Sequence, residues 1–243
     1  MKVYGLLGKT LKHSFSKRYF TEKFQELNIN DCSYENFELG SIEQLPSLLQ
    51  PHSLIQGLNI TIPYKEDVIP YLHFQNEIVK EIKACNCIKI VDSKLYGFNT
   101  DVIGFKQSLQ KGLKPHHTHA LILGTGGAAK AVQYVLKDLG IKYQNVSRFL
   151  KEEAIIYDAV DEEVLQTNTL IINTSPLGMY PNVNEEPAIP YQFITAKHLL
   201  FDLIYNPEKT IFLTKGEEQG ATIINGQEML ILQAEESWRI WND

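Results

Sequence analysis

The stretch Ala120-Leu121-Ile122-Leu123-Gly124-Thr125-Gly126-Gly127-Ala128-Ala129 lies near mid-chain and runs from apolar residues through a glycine turn into a helix former. It reads as a buried strand, a tight turn and a helix start. Glycines let the backbone approach a ligand closely, and a helix N-terminus offers free N–H donors and the positive end of a dipole, so phosphate oxygens suit such a turn. The pattern is G-x-G-x-x-A rather than G-x-G-x-x-G, and its meaning depends on context. Ala128, Ala131, Val132, Val135, Leu136 and Leu139 fall on one helical face. Gly140 then stands where a left-handed cap would end the helix, and Ile141 to Val146 resumes a strand. Strand, turn, helix and strand together form the unit in which a dinucleotide fingerprint carries meaning. The alternative is an ordinary βαβ unit with a glycine-rich turn. Gly124, Gly126, Gly127 and Ala128 are the expected cofactor-cradling residues.

The end of the second strand is informative for what it lacks. Sites for NAD usually place an acid about 20 residues on, bonding the ribose 2′-hydroxyl. Here the strand runs out at Asn145-Val146-Ser147-Arg148. A carboxylate would repel a 2′-phosphate, whereas a hydroxyl and a guanidinium bind one, the latter through a charge-assisted fork. Ser147 and Arg148 therefore point to NADP over NAD. The competing reading of Arg148 is a solvated surface residue.

The totals narrow the class. At 243 residues, with 44% hydrophobic and 21% charged content, the chain is an ordinary globular protein of one large or two modest domains. A net charge of -6 gives no electrostatic reason to expect nucleic acid or an anionic membrane as partner. No apolar run approaches the roughly 20 residues of a spanning helix, and no signal-peptide pattern opens the chain. Cys32, Cys85 and Cys87 cannot all pair internally, which fits a reduced, cytoplasmic setting. The tract His116-His117-Thr118-His119 follows Lys114-Pro115 and reads as a solvated connector, so no metal is expected.

Strands and helices alternate through the first hundred residues. Strands are expected at Val3–Leu7, Tyr34–Phe37 and Gln56–Ile62, helices at Lys17–Leu27 and about Ile42–Leu49, and a hairpin turning at Asp92-Ser93-Lys94. A helix over Val102–Leu109 leads to the nucleotide unit, and further strands follow at Thr169–Asn173, Leu199–Leu203 and Thr222–Ile224. The last helix, Gln227 to Trp241, carries Leu230, Ala234, Trp238 and Trp241 on a face too apolar for solvent, so it is expected to close back on the first domain. Two α/β domains with a cleft between them result, and ligands in such folds lie beyond the carboxyl ends of the strands.

Gly57 to Asp67 holds the most unusual chemistry of the first half. Strand alternation puts Leu58, Ile60 and Ile62 on one face and Asn59 with Thr61 on the other. Lys65 follows, near an expected helix start at Pro63, where a cation is unfavourable beside the dipole. An exposed polar face with a surface lysine is the competing reading. Asp101 closes the run Tyr96-Gly97-Phe98-Asn99-Thr100-Asp101 and has an alternative reading as a helix cap, as Ser14 and Ser16 have for the first helix. Gln233 shares a helix face with Met229 and Ile240 and needs a partner for its amide.

Taken in order, the segments Gly8–Ser16, Gly57–Lys65, Asn86, Gly97–Asp101, Gly124–Ala129, Ile172–Met179, Asp202–Pro207 and Asn225–Leu230 with Gln233 resemble the shikimate dehydrogenase family over nearly the whole chain. The resemblance implies an α/β fold. Residues 1–101, completed by the helix 227–243, would be the substrate-binding domain, and 102–226 a Rossmann-like, doubly wound NADP-binding domain. It implies NADPH-dependent reduction of 3-dehydroshikimate to shikimate in aromatic amino-acid biosynthesis, by a monomer or homodimer. Lys65 and Asp101 would be the catalytic pair. Ser14 and Ser16 would hold the substrate carboxylate. Asn59, Thr61, Asn86, Asp101 and Gln233 would bind the ring hydroxyls and carbonyl, and Tyr205 would line the pocket. Thr174, Met179, Gly226 and Met229 would serve the cofactor, the last three near the nicotinamide. Ser147-Arg148-Phe149 departs from the family's commonest Asn-Arg-Thr, keeping the arginine.

Three alternatives bear on function. A short-chain dehydrogenase would use Tyr-x-x-x-Lys, but Tyr19–Lys23 precedes the nucleotide motif and Tyr205–Lys209 is broken by Pro207. A quinate/shikimate dehydrogenase using NAD is disfavoured by the missing acid, and a catalytically silent NADP sensor would be free to lose Lys65 or Asp101. Arg148→Ala is expected to raise the Michaelis constant for NADPH far more than that for NADH in steady-state kinetics; equal effects would remove the 2′-phosphate assignment.

Overall fold

In the computed structural model, which describes residues 1–11, 14–50 and 54–243, the chain divides into two compact units. One comprises Met1–Thr100 with Ala234–Asp243, the other Asp101–Gln233. Lys12 and His13, inside the Gly8–Ser16 segment, lie outside the described residues.

The first unit contains β1 (Lys2–Gly8), α1 (Phe15–Glu26), β2 (Cys32–Glu38), α2 (Leu45–Leu49), β3 (Ile55–Ile60), β4 (Phe74–Gln75), α3 (Glu77–Ile82), β5 (Cys87–Val91) and β6 (Lys94–Phe98). Its mixed sheet has the order β2-β1-β3-β5-β6-β4. β1 runs parallel to β2 and β3, whereas β5 is antiparallel to both β3 and β6. The β5–β6 hairpin turns through Asp92 and Ser93, both left-handed, which matches the twist of the strands it joins. Ser14 starts α1 by accepting the Lys17 N–H on its hydroxyl.

Strand alternation gives this sheet two cores. Leu7, Leu58, Ile60 and Ile88 pack on one face with Leu45 and Val68. On the other, Tyr4, Tyr34 and Cys87 meet Phe20 and Phe24 of α1 and Ala234, Ile240 and Trp241 from the end of the chain. Asn59 belongs to this second face, as alternation indicates, and is buried, so the competing reading of an exposed polar face fails at this residue. α1 and the C-terminal helix supply the cover.

The second unit contains α4 (Asp101–Gln110), β7 (His119–Leu123), α5 (Gly127–Asp138), β8 (Lys142–Ser147), β9 (Ala154–Ile156), α6 (Glu162–Thr167), β10 (Leu170–Asn173), β11 (Leu199–Asp202), α7 (Ile211–Glu218) and β12 (Thr222–Ile224). Its sheet is parallel throughout, ordered β12-β11-β10-β7-β8-β9. Numbered within the unit, that is 6-5-4-1-2-3, the doubly wound order of Rossmann domains. Both faces are covered, so the strands are apolar runs such as Leu170–Asn173 and Leu199–Asp202, buried at every residue. α5 ends as its sequence indicates: Gly140 is left-handed, its N–H donates to Lys137 O, and the Ile141 N–H donates to Leu136 O.

α8 (Gln227–Asn242) spans the division between the units. Its start through Gln233 counts with the second unit, because the backbone of Met229 and Gln233 closes on Gly104 of α4. Its remainder counts with the first. Trp241 stacks on Tyr4 (centroids 4.8 Å apart), and its indole N–H donates to Ile88 O at 2.9 Å. The ring lies so close to Gly57 that any Cβ there would collide with it. Trp241→Ala removes this packing and leaves a cavity, and is expected to cost about 3–5 kcal/mol of unfolding free energy in urea denaturation. A loss below about 1 kcal/mol would show that the C-terminal segment is not part of this core.

Candidate active site

In the first unit a chain of buried polar groups lies at the carboxyl end of β3. Asn59 is its centre. Its Oδ1 accepts from the Tyr34 hydroxyl at 2.8 Å, and its Nδ2 donates to Ser237 Oγ at 2.8 Å. Ser237 Oγ also lies 3.2 Å from Thr100 Oγ1. Asn86 completes the chain, its Oδ1 accepting the Thr100 N–H at 2.6 Å and its Nδ2 donating to Thr100 Oγ1 at 3.0 Å. Burial pushes the Tyr34 hydroxyl well above its ordinary value, so it remains a donor at any working pH. Ser16, at the start of α1, is buried beside it. Asn59 and Asn86 are thus each engaged on both amide atoms by protein groups.

Lys65 is half-buried within residues 62–68, which form turns rather than the helix expected to start at Pro63. The dipole argument for an unusual lysine therefore lapses. The turn is held at its flanks: Tyr64 is buried and its hydroxyl donates to Leu39 O at 2.6 Å, and Val68 is fully buried. The Cys85 N–H donates to Lys65 O at 2.8 Å, which fixes the lysine backbone beside the segment bearing Asn86. Thr61, one turn earlier, is half-buried, and its N–H donates to Leu7 O. Asp101 is the first residue of α4, so Thr100 occupies the position ahead of the helix and Asp101 is an acid in its first turn.

In the second unit Gly124 is left-handed, a conformation that resists any side chain, and an added Cβ would lie 2.5 Å from Thr174 Oγ1. Among the described residues no side-chain hydrogen bond caps α5 at Gly126, which leaves its first N–H groups to other acceptors. A Cβ at Gly126 would meet nothing within 4 Å, so the turn carries an open cradle, and a phosphate fits it. Ser147 is buried, and its Oγ accepts the Phe149 N–H at 3.3 Å while keeping its own proton to donate. Arg148 is exposed and rests 5.9 Å from the centroid of Phe149, a ring 72% exposed. Lys151 Nζ donates to Thr125 Oγ1 at 2.7 Å and adds a second cation beside the glycine turn. Further along the strand ends, Thr174 Oγ1 donates to Leu123 O at 3.0 Å, Met179 and Tyr205 are exposed, and Gly226 and Met229 are buried. Gln233 is buried, and its Nε2 donates to Leu230 O of its own helix at 2.8 Å.

Residues 6–88 match the model of the shikimate dehydrogenase substrate-binding domain. A shikimate dehydrogenase (NADP(+)) of Clostridium beijerinckii is 40% identical, the alignment covering 100% of this chain and 93% of the relative. The chain belongs to the shikimate dehydrogenase family. Its fold is similar to a chorismate mutase/shikimate 5-dehydrogenase fusion protein from Clostridium acetobutylicum, at a TM-score of 0.89 and 35% identity over 100% of this chain and 92% of that one. A Thermus thermophilus shikimate 5-dehydrogenase solved with NADP(H) and shikimate is similar at a TM-score of 0.88 and 28% identity, over 99% and 93% of the two chains.

Sequence reasoning passes over Tyr34, Ser237 and Lys151, and quotes Thr100 and Asp202 only as members of matching segments, without a role. Asp202 carries the clearest signal, an acid ending the apolar run Leu199-Leu200-Phe201. The histidine tract is structural. Among the described residues no cluster of His, Cys, Asp or Glu could hold a metal. The rings of His116 and His117 both meet Lys197 O, at 2.9 and 3.1 Å, and His117 Nδ1 accepts the Lys114 N–H at 3.0 Å. His117 is buried rather than solvated, because the connector folds against the segment ahead of β11. Burial, then the neighbouring cations, lower its pKa from 6.5. The unfolded chain takes up that proton more readily, so stability present above pH 6.5 is lost as pH falls below it. His117→Gln is expected to flatten this acid limb of unfolding free energy between pH 7.5 and 5.5 relative to the parent. An unchanged limb would contradict a neutral buried His117.

Proposed function

We propose that this protein catalyses the reversible, NADPH-dependent reduction of 3-dehydroshikimate to shikimate, as a monomer or homodimer acting on a small-molecule substrate. The full-length relationship to enzymes named shikimate dehydrogenase (NADP(+)) carries this reading. Lys65 and Asp101 are both present, and the glycine turn, Ser147 and Arg148 suit a 2′-phosphorylated dinucleotide, with Gly124, Gly126, Gly127 and Ala128 at its pyrophosphate. The three cysteines are free thiols, which supports a cytoplasmic setting, and no helix among the described residues is long and apolar enough to cross a membrane.

NADPH, when bound, supplies the hydride. The residues of the chain do the rest. Ser14 and Ser16 bind the substrate carboxylate through their hydroxyls. Asn59, Thr61, Asn86 and Gln233 orient the ring hydroxyls and carbonyl, with Asn86 fixed by Thr100. Lys65 holds a positive charge, or a proton, at the ketone oxygen as negative charge develops there. Asp101 orients the Lys65 amine and accepts a hydrogen bond from the adjacent hydroxyl. In the reverse direction the same amine withdraws the proton from the alcohol. Tyr205 lines the substrate pocket, and Thr174, Met179, Gly226 and Met229 receive the cofactor.

Adding shikimate and NADP+ to the protein and recording nicotinamide absorbance tests the reaction; repeating it with NAD+ and with quinate separates the NAD-using alternative. No absorbance change at any pH would overturn the proposal in favour of a silent sensor. Lys65→Ala is expected to lower turnover about 10²–10⁴-fold while substrate binding is largely kept. Near-normal turnover would make Lys65 a bystander.

A further inference from the structure

Asp202 has no part in the chemistry above, yet it is a fully buried carboxylate at the carboxyl end of β11. Its three donors are neutral. Oδ1 accepts from the Ile204 N–H at 3.0 Å and from Asn173 Nδ2 at 3.1 Å, and Oδ2 accepts from the Thr210 hydroxyl at 2.6 Å. A carboxylate moved out of water without a cation is costly, and here burial pushes its pKa up to about 6 against the pull of those donors.

Each donor shapes a different connection. Asn173 ends β10, and its Oδ1 accepts both the Ser175 N–H (3.0 Å) and the Ser175 hydroxyl (2.6 Å), which folds the Thr174–Leu177 turn. Ile204 leads out of β11, and its carbonyl accepts the Gly226 N–H at 2.9 Å, so the segment after β12 hangs on it. Thr210 caps α7 at the end of the same connection. The Tyr180 N–H donates to Asn206 O at 3.2 Å and ties the first connection to the second.

Sheet order gives these connections their meaning. The glycine turn follows β7, and Ser147-Arg148 lies at the end of β8 on one side of it. A dinucleotide with its pyrophosphate on the turn and its 2′-phosphate at Arg148 extends its other half over β10, β11 and β12. We propose that Asp202 is the positioning residue for the nicotinamide half of the dinucleotide, setting through Asn173, Ile204 and Thr210 the connections that receive it. The assignment rests on the NADP reading given under Proposed function.

Calorimetric titration of the full chain with NADP+ and with 2′,5′-ADP, which lacks the nicotinamide half, tests it. Asp202→Asn is expected to weaken NADP+ about tenfold or more while 2′,5′-ADP changes by less than about twofold. Thr210→Val should shift NADP+ in the same selective sense by a smaller factor, and Thr210→Ser should restore it. If Asp202→Asn does not fold, the Thr210 pair decides by the same outcomes. Parallel weakening of both ligands, or no change in either, overturns the role of Asp202. A parent protein that binds neither ligand overturns the NADP reading instead.

Discussion

The hydrogen bond from Asn59 to Ser237, 2.8 Å long, joins side chains 178 positions apart, and the first unit is built around the need for it. β3 carries an amide into the covered face of a sheet, where an unpaired polar group costs about 1–3 kcal/mol. Tyr34 satisfies one side of that amide; the other makes a long bond to Asn86 O at 3.4 Å and a shorter one to Ser237, near the end of the chain. The buried polar groups of the first hundred residues thus gain their shorter partner from Ala234–Asp243. Ser237 reaches them because Ala234 and Trp241, on the same helix, fill the apolar surface around the hydroxyl. Asn86 and Thr100 are bonded into the same chain, so their positions are tied to the C-terminal segment as well.

The second unit meets an analogous need by other means. Its sheet is parallel, with every strand pointing its carboxyl end the same way, and polar groups at those ends have no further strand to pair with. At β7 the glycine loop leaves the first N–H groups of α5 to other acceptors. At β10 and β11 the problem is concentrated in Asn173 and Asp202, which bond to each other and draw in the loops that follow. One unit thus uses a neutral chain of amides and hydroxyls, while the other uses a single carboxylate surrounded by neutral donors. The neutral chain is insensitive to pH in the working range; the carboxylate, held near pH 6, is not.

What is legible in the sequence is what is decided locally. The glycine turn, the face of α5, its Gly140 cap and the Asp92-Ser93 hairpin are each written within a dozen residues, and all appear in the structure. Readings fail where a distant element decides. Alternation places Asn59 on the polar face of β3, but α8, far along the chain, makes that face interior. Pro63 suggests a helix start near Lys65; instead, Tyr64 and Val68 are drawn into the core and the segment closes as turns. The histidines after Pro115 look like a solvated linker because Lys197, whose carbonyl gathers two of them, is 80 positions away from His117. Ser14 is read correctly as a helix cap, a local bond that leaves its hydroxyl hydrogen free for another acceptor. The candidate residues are therefore visible as residue types, while the long-range bonds of the buried groups among them are not.

A division of labour follows between groups that set geometry and groups that carry charge. The former (Tyr34, Asn59, Ser237, Asn173, Asp202) are buried and bonded on several sides, so their rotamer freedom is already spent when the chain folds. The latter, Lys65, Arg148 and Lys151, have long side chains whose ordering costs up to about 2 kcal/mol each when a ligand fixes them. Lys65 and Arg148 are rooted in backbone that is pinned nearby, Lys65 by Cys85 and Arg148 by the Ser147 turn, whereas Lys151 is held at its amine by Thr125. Arg148 combines a root held in the turn with an exposed side chain. Its guanidinium rests on an exposed aromatic ring, a contact worth only about 0.5–1 kcal/mol at the surface, and so is easily exchanged for the two parallel bonds a phosphate offers.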